Sequence, residues 1–164
     1  MNMSRLVPAA VLVAIALLLL ALYLPGLLRY RSFRADLSHF IKLVKAGDAI
    51  AAASYVDDVD YDSLVQLIDT YVPPDYAQDL KALNVSGVEK AGKEYVSEMV
   101  VRFQGKSYNG VGQARIRWHQ TKKGWRFALR EAEVAEGYPE GDFVSLDNYL
   151  GSSDLFRPGA GPAD

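Results

Sequence analysis

The sequence predicts an α+β domain that follows a single N-terminal transmembrane helix. Two observations lead to this prediction. The first is an apolar run from Leu6 to Leu28 that contains no charged residue. The second is a change in the spacing of apolar residues, from a helical period before residue 94 to strict alternation after it, which indicates helices followed by antiparallel strands. The chain has 164 residues, enough for one such domain.

The apolar run is long enough to cross a lipid bilayer. At about 1.5 Å of rise per residue, a helix over residues 6–28 is roughly 35 Å long. The alternative is a cleaved signal peptide, whose apolar core spans about 7–15 residues and precedes small residues at the cleavage site. Here the bulky sequence "LYL" at 22–24 follows instead. We therefore predict an uncleaved anchor at residues 1–29, in contact with the bilayer and bent or ended at Pro25-Gly26.

Charge and cysteine content exclude several functions. All 20 acidic residues follow residue 34, together with 14 of the 18 basic residues, so this part of the chain carries a net charge of −6. An acidic domain binds nucleic acid poorly, and we expect no nucleic-acid partner. The chain has no cysteine. Disulfides, thiolate catalysis and cysteine-bound zinc are therefore excluded.

The orientation of the anchor is open to two interpretations. Arg5 precedes the apolar run, whereas Arg29, Arg31 and Arg34 follow it. The positive-inside rule, applied literally, would keep the domain in the cytoplasm. A single N-terminal anchor with a very short head is instead typical of an exported domain. We expect a single-pass membrane protein with an extracytoplasmic domain.

Residues 30–150 are predicted to form the folded domain, beginning with helices. Apolar residues at helical spacing define one face of a first helix from Tyr30 to Ala46. The members of this face are Phe33, Leu37, Phe40, Ile41 and Val44. Gly47 is the expected C-terminal stop, and Asp48 is the expected N-cap of a second short helix. Further helical segments are predicted from Ser63 and from Asp75, and residues 151–164 are predicted to form a disordered tail.

Alternating apolar positions then predict three long strands that share one buried face, after a shorter strand at 84–91. The face residues are Tyr95, Ser97, Met99, Val101, Phe103, Tyr108, Ala114, Ile116, Trp118, Trp125, Phe127 and Leu129. Two-residue turns at Gly105-Lys106 and Lys123-Gly124 keep the apolar residues together. This register places Arg117 opposite both Glu94 and Arg130.

The order of elements resembles the NTF2-like superfamily, in which N-terminal helices pack inside a curled antiparallel sheet that forms a cone. The resemblance is carried by "FIKLVKAGDAIAAASYV" and by "GQARIRWHQTKKGWRFALREAEV", and it spans residues 30–135. In this region the chain is similar to the small membrane-anchored NTF2-like domains of bacterial envelopes. The superfamily includes isomerases and cyclases that work inside the cone, and also noncatalytic binding and assembly modules.

The acidic stretch "SYVDDVDYDSLVQLID" is the first candidate site. Asp58, Asp60, Asp62 and Asp69 match the spacing of Ca²⁺ ligands in an EF-hand loop. However, the position that requires glycine is Ser63, and Asp69 stands where a bidentate glutamate is preferred. The alternative is a helix start, in which Ser63 and Gln66 form a capping box or Asp62 is the N-cap. We expect helix-capping carboxylates, no metal site and no cofactor.

A second candidate is a ligand pocket inside the cone. The resemblance implies that its walls would include Tyr55, Tyr95, Met99, Tyr108 and Trp118. Asp57 and Asp58 lie close to Tyr55 in the sequence, but the buried strand face carries no acid or histidine for proton transfer. His39 and His119 have no evident partner in the sequence. No catalytic residue is therefore assigned, and whether the protein is an enzyme stays open.

A third candidate is a docking patch on the outer face of the sheet. Its predicted members are Arg102, Arg115, Arg117 and Arg130, with Arg126 on the same face. The alternative is a solvated face on which Glu94 and Glu98 pair with the arginines. The docking interpretation predicts an acidic protein partner, or a homodimer through the sheet face.

The sequence favours a membrane-anchored, noncatalytic binding or assembly module. The alternative is a small-molecule binder, or an isomerase-like or cyclase-like enzyme, that uses the cone interior. The two differ in whether the interior is filled by side chains or open and lined with a few polar groups.

Overall fold

The computed structural model describes residues 3–73, 76–105, 109–137, 141–146 and 148, with side chains from residue 13 onward except at residue 71. The chain divides into two units, residues 1–35 and residues 36–164. The boundary therefore lies a few residues beyond the end of the anchor predicted at 1–29. The predicted tail at 151–164 and the predicted pocket residue Tyr108 lie outside the described residues.

The first helix, α1, runs without interruption from Met3 to Ala46. In the first unit, its apolar side chains from residue 13 to residue 28 are largely exposed, for example Leu22 at 67% and Tyr23 at 74%. Among the described residues, α1 is the one helix long and apolar enough to cross a membrane, with a mean hydropathy of 2.0. It is thus a candidate membrane span.

The helix end predicted at Pro25-Gly26 is wrong, because α1 continues through both residues, whereas a bend there stays a prediction. Proline removes one main-chain hydrogen bond and usually kinks a helix. In an apolar environment the neighbouring main-chain groups have no water to bind, so a continued helix satisfies more of them than an open turn does.

The end of α1 agrees with the sequence prediction. Gly47 has a φ angle of +81°, in the left-handed region that favours glycine. Its N–H donates to the carbonyl of Val44 at 3.2 Å, and the Asp48 N–H donates to that of Leu43 at 3.1 Å. Asp48 then caps α2, Ala49–Ala53, by accepting the Ala51 N–H at 2.9 Å. The Gly-Asp pair therefore ends one helix and begins the next.

The third helix, α3, spans Tyr61–Tyr71, and its N-cap is Asp60. The Asp60 carboxylate accepts the main-chain N–H of Ser63 at 3.0 Å and its hydroxyl at 2.7 Å. The predicted capping box of Ser63 and Gln66 and the alternative N-cap at Asp62 are therefore both wrong. Asp60 precedes them, so the helix begins earlier than the apolar spacing alone indicated. A short helix α4, Tyr76–Asp79, follows.

Six strands form one antiparallel sheet in the part of the chain that the structure describes. Their bounds are β1 Leu80–Ala91, β2 Glu94–Gln104, β3 Asn109–Thr121, β4 Gly124–Phe127, β5 Glu133–Glu136 and β6 Val144–Ser145. The order across the sheet is β1-β2-β3-β5-β6. Strand β4 pairs with residues 118–121 of β3, and β5 pairs with residues 112–115 of the same strand. The α+β class is thereby confirmed. The first strand is longer than the predicted strand at 84–91.

The β2–β3 register differs from the predicted one by two residues. Tyr95 lies opposite Trp118, and Gln104 lies opposite Asn109. Four positions therefore separate the last paired residues of the two strands, rather than the two that the sequence predicted. A shift of two leaves every side chain on the same face of the sheet, so apolar alternation cannot distinguish the two registers.

The last predicted strand is interrupted. Trp118 lies opposite Phe127 rather than Leu129, and the turn lies at residues 122–123. A 3₁₀ helix, Leu129–Glu131, separates β4 from β5, which pairs with the other half of β3. The predicted Arg117–Arg130 cross-strand pair is therefore wrong, because Arg130 lies in the 3₁₀ helix.

The core of the second unit lies between the helices and the predicted apolar face of the sheet. Trp118, Trp125 and Ser97 have no exposed surface. The Phe40 ring lies 5.5–5.6 Å, centroid to centroid, from the rings of Tyr55, Trp118 and Phe127 in edge-to-face geometry. Such aromatic pairs add to the stabilisation that apolar burial provides.

Candidate functional site

The predicted pocket residues within the described ranges form part of a packed core. Tyr55, Tyr95, Met99 and Trp118 are 5%, 4%, 3% and 0% exposed. None of these four side chains lines the cavity described below. The region around them is therefore filled by side chains.

Two hydrogen bonds satisfy polar groups in this core. Trp118 Nε1 donates to Ser97 Oγ at 2.8 Å, and the Tyr55 hydroxyl lies 2.8 Å from His39 Nδ1. Burial, followed by the negative charge of Asp36, raises the pKa of Tyr55, and Arg126 opposes the shift. The Arg126 guanidinium lies 4.8 Å from the centre of the Tyr55 ring. These contacts join α1, the α2–α3 connection and β4 in one polar network.

A cavity of about 640 Å³ lies beside this core, within the second unit. Its walls come from the end of α1, from α2 and α3, and from the sheet with the 3₁₀ helix. The lining residues are Phe40, Val44, Ala49, Ala52, Ala53, Val56, Leu64, Leu67, Ile68, Val72, Pro73, Tyr76, Asp79, Phe103, Phe127, Leu129 and Leu146. Nearly all of these side chains are apolar, so the cavity suits an apolar guest.

The local sequence explains why space is left here. Helix α2 presents Ala49, Ala52 and Ala53 to the cavity, and their methyl groups leave volume unfilled. Helix α3 presents Leu64, Leu67 and Ile68, which lie on one face at i, i+3 and i+4. Small side chains on one helix therefore stand beside large apolar side chains on the next.

Asp79 is the one charged residue among those that line the cavity in the described structure. It ends α4 and lies against the main chain of Gly105, where a Cβ atom would overlap the carboxylate. Tyr76 lies one turn earlier, and its hydroxyl donates to the Val44 carbonyl at 3.1 Å. Burial, and then the negative charge of Asp48, raises the pKa of Tyr76. The cavity thus has an apolar body and one acidic group.

Three aspartates of the acidic stretch have separate structural roles. Asp57 Oδ2 lies 2.5 Å from His119 Nε2. Asp58 accepts hydrogen bonds from the 3₁₀ helix. The main-chain N–H of Ser63, and then its hydroxyl, hold the pKa of Asp60 below the usual range. Within the described ranges, no group of three or more potential ligands is arranged to hold a metal ion.

Both histidines have partners that the sequence did not reveal. His39 contacts Tyr55, 16 residues away, and His119 contacts Asp57, 62 residues away. Each partner lies on a different element, so only the folded chain brings them together.

Three of the four predicted patch arginines contact acids. Arg115 Nη2 lies 3.8 Å from Glu98, its Nη1 lies 3.4 Å from Glu133, and its guanidinium stacks over the Phe143 ring at 4.0 Å. Arg117 pairs with Glu94 at 3.3 Å, although the two are not directly opposite. Arg130 pairs with Asp58 at 3.1 Å. The fourth, Arg102, is exposed. Acids therefore offset much of the positive charge that the docking interpretation requires.

The sequence predicted neither this cavity nor the position of Asp79 on its wall. The signals that could have indicated them are the alanine-rich segment "AIAAA" at 49–53 and the acid directly before β1. Neither signal is specific without knowledge of what packs opposite.

Comparison with known proteins finds no matching family model, no similar curated protein and no similar solved structure.

Proposed function

We propose that this protein is a membrane-anchored, noncatalytic module that binds an apolar ligand in the cavity between its helices and its sheet. The observation that carries the proposal is the cavity of about 640 Å³ with almost wholly apolar walls. Small-molecule sites commonly have volumes of about 300–1,000 Å³ and the same predominance of apolar lining.

The lining gives an apolar ligand a thermodynamic advantage over water. Water in a cavity needs two to four polar partners, and the walls contributed by α2 and α3 supply few. An apolar ligand needs no such partners, and its transfer from water is favourable in proportion to the area buried. Burial of the ligand's apolar surface is therefore the interaction that this cavity supports best.

The polar groups of the cavity favour binding over catalysis. Proton transfer requires a positioned acid or base at the reacting atoms. Asp79 is the single carboxylate among the described lining residues, and the Tyr76 hydroxyl already donates to a main-chain carbonyl. An isomerase-like reaction would need a second proton-transfer group beside the ligand.

The proposal includes the NTF2-like cone and the membrane anchor. Helices that precede one antiparallel sheet support the first, and the uncharged apolar run in α1 supports the second. An anchor would keep the domain at a membrane, where apolar molecules are concentrated. We place the domain on the extracytoplasmic side, following the usual behaviour of short-headed N-terminal anchors.

Titration of the full chain with an uncharged, environment-sensitive apolar dye tests the proposal. The protein is placed in phosphatidylcholine nanodiscs, and protein-free nanodiscs give the dye signal from lipid alone. Both tryptophans, Trp118 and Trp125, lie in the second unit, so energy transfer from tryptophan to dye reports dye near that domain. We expect saturable binding.

A cavity-filling variant and a matched control make the test specific. Ala53→Phe adds an aromatic ring to the cavity wall and should abolish saturable energy transfer. Ile50→Phe adds a ring on the same helix at an exposed position outside the cavity, and should bind dye like the wild type. Equal binding by both variants would exclude the cavity as the site.

A further inference from the structure

We propose that the ligand of the cavity is an amphiphile with one apolar chain and a cationic ammonium end that pairs with Asp79. This inference rests on the proposed function and extends it from an apolar ligand to a specific chemical class. It follows from the position of a single carboxylate in an otherwise apolar wall.

The placement of Asp79 is built into the fold. Its carboxylate lies where the Cβ atom of any other residue at position 105 would stand, so Gly105 makes room for it. In the part of the chain that the structure describes, neither a hydrogen bond nor an ion pair joins the Asp79 side chain to another residue. Four other aspartates do have partners: Asp48 and Asp60 cap helices, Asp57 contacts His119, and Asp58 contacts the 3₁₀ helix.

Charge complementarity selects the end group of the ligand. A carboxylate that loses water on ligand binding is destabilised unless a cation or a hydrogen-bond donor replaces that water. An ammonium group supplies both a positive charge and three donors. A fatty acid would instead bring a second negative charge beside Asp79, which is unfavourable in a medium of low polarity.

The volume of the cavity limits the apolar part of the ligand. A cavity of about 150 Å³ in another protein holds benzene, a molecule of six carbon atoms. By that proportion, about 640 Å³ accommodates roughly 25 non-hydrogen atoms. One long alkyl chain with its head group fits this volume.

A competition series against the apolar dye tests the end group. The full chain in phosphatidylcholine nanodiscs is titrated with dodecylamine, dodecanol and dodecanoate at pH 7, with free concentrations corrected for partition into protein-free nanodiscs. The amine is protonated at this pH, as a lysine side chain is. We expect dodecylamine to bind at least about tenfold more tightly than dodecanol, the lower limit expected for a hydrogen bond to a charged group. Dodecanoate should bind most weakly.

Two variants assign the preference to Asp79. Asp79→Asn removes the charge with little change in shape, so it should reduce the amine-to-alcohol ratio to about one while dodecanol binding stays within about twofold. Asp62→Asn removes the same charge from an exposed position outside the cavity and should keep the wild-type ratio.

The possible outcomes separate this inference from the proposed function. Saturable dye binding with equal affinity for amine and alcohol, or with preference for the carboxylate, overturns the ammonium inference and leaves the proposed function intact. A tenfold amine preference that persists in Asp79→Asn also overturns it. Absence of saturable dye binding overturns both.

Discussion

Asp58 Oδ2 accepts two hydrogen bonds from Arg130, one from the main-chain N–H and one from Nε, both at 3.1 Å. The other carboxylate oxygen accepts the Leu129 N–H at 2.7 Å. One carboxylate therefore binds the 3₁₀ helix at three points, where the final strand is interrupted. These hydrogen bonds give Asp58, one of the acids in the sequence "DDVDYD", a structural role that requires no metal ion.

Asp58→Ala should lower the free energy of unfolding by about 1.5–3 kcal/mol, as expected for hydrogen bonds to a charged group. The Asp58 side chain is only 15% exposed, so solvent replaces the lost bonds poorly. Glu94→Gln is the control, because the exposed Arg117–Glu94 pair should contribute at most about 1 kcal/mol. Urea denaturation followed by near-ultraviolet circular dichroism measures both. Equal losses in the two variants would contradict the assigned role.

Trp118→Ala should cost about 3–5 kcal/mol, as expected for a fully buried large aromatic residue. Its ring contacts those of Phe40 and Phe127, and its Nε1 donates to Ser97. Thermal and urea denaturation of the full chain provide the measurement. A transition midpoint close to that of the wild type would show that this face of the sheet is not the core.

The acidic stretch should not bind Ca²⁺ with the affinity of a sensor. Asp58 and Asp60 already accept hydrogen bonds from protein donors, and Ser63 stands where an EF-hand loop requires glycine. Calorimetric titration of the full chain with CaCl₂ gives the affinity. A dissociation constant below about 10⁻⁵ M, in the sensor range, would require a different structure for residues 58–69.

Tyr55 should make stability depend on pH in the alkaline range. Burial, followed by Asp36, raises its pKa above the ordinary value of 10.0, so the folded state holds the phenol proton more tightly than the unfolded chain does. The resulting stabilisation is complete below pH 10 and is lost as the pH rises through the folded-state pKa. Tyr55→Phe should therefore lose less stability than the wild type between pH 9 and pH 11. Parallel stability curves for the two proteins over that range would contradict this assignment.

The sequence predicted the faces of the sheet but not its registers. Alternation placed Trp118 and Phe127 on the buried face correctly, because a side chain's face depends only on whether its position is odd or even. The pairing of Trp118 with Phe127 rather than Leu129 depends on loop geometry and on the Asp58 contact, which lies 71 residues away along the chain from Leu129.

The cavity was harder to predict than the core. A core residue leaves a local signal, since Trp118 and Tyr95 are large and apolar at alternating positions. A cavity forms where side chains from different elements leave space between them. The alanines of α2 therefore become its wall only when α3 and the sheet are in place. In the sequence, Asp79 likewise resembles an ordinary surface acid, because nothing local indicates that it packs against Gly105.

Photolabelling of the full chain in nanodiscs with an uncharged alkyl diazirine tests the cavity claim most directly. Peptide mass spectrometry locates the labelled residues, and the apolar part of α1 serves as an internal reference for reagent dissolved in lipid. We expect saturable labelling of α3 residues 64–68, which Ala53→Phe should abolish and Ile50→Phe should leave unchanged. Labelling confined to residues 13–35, or labelling of α3 that Ala53→Phe does not alter, would contradict it.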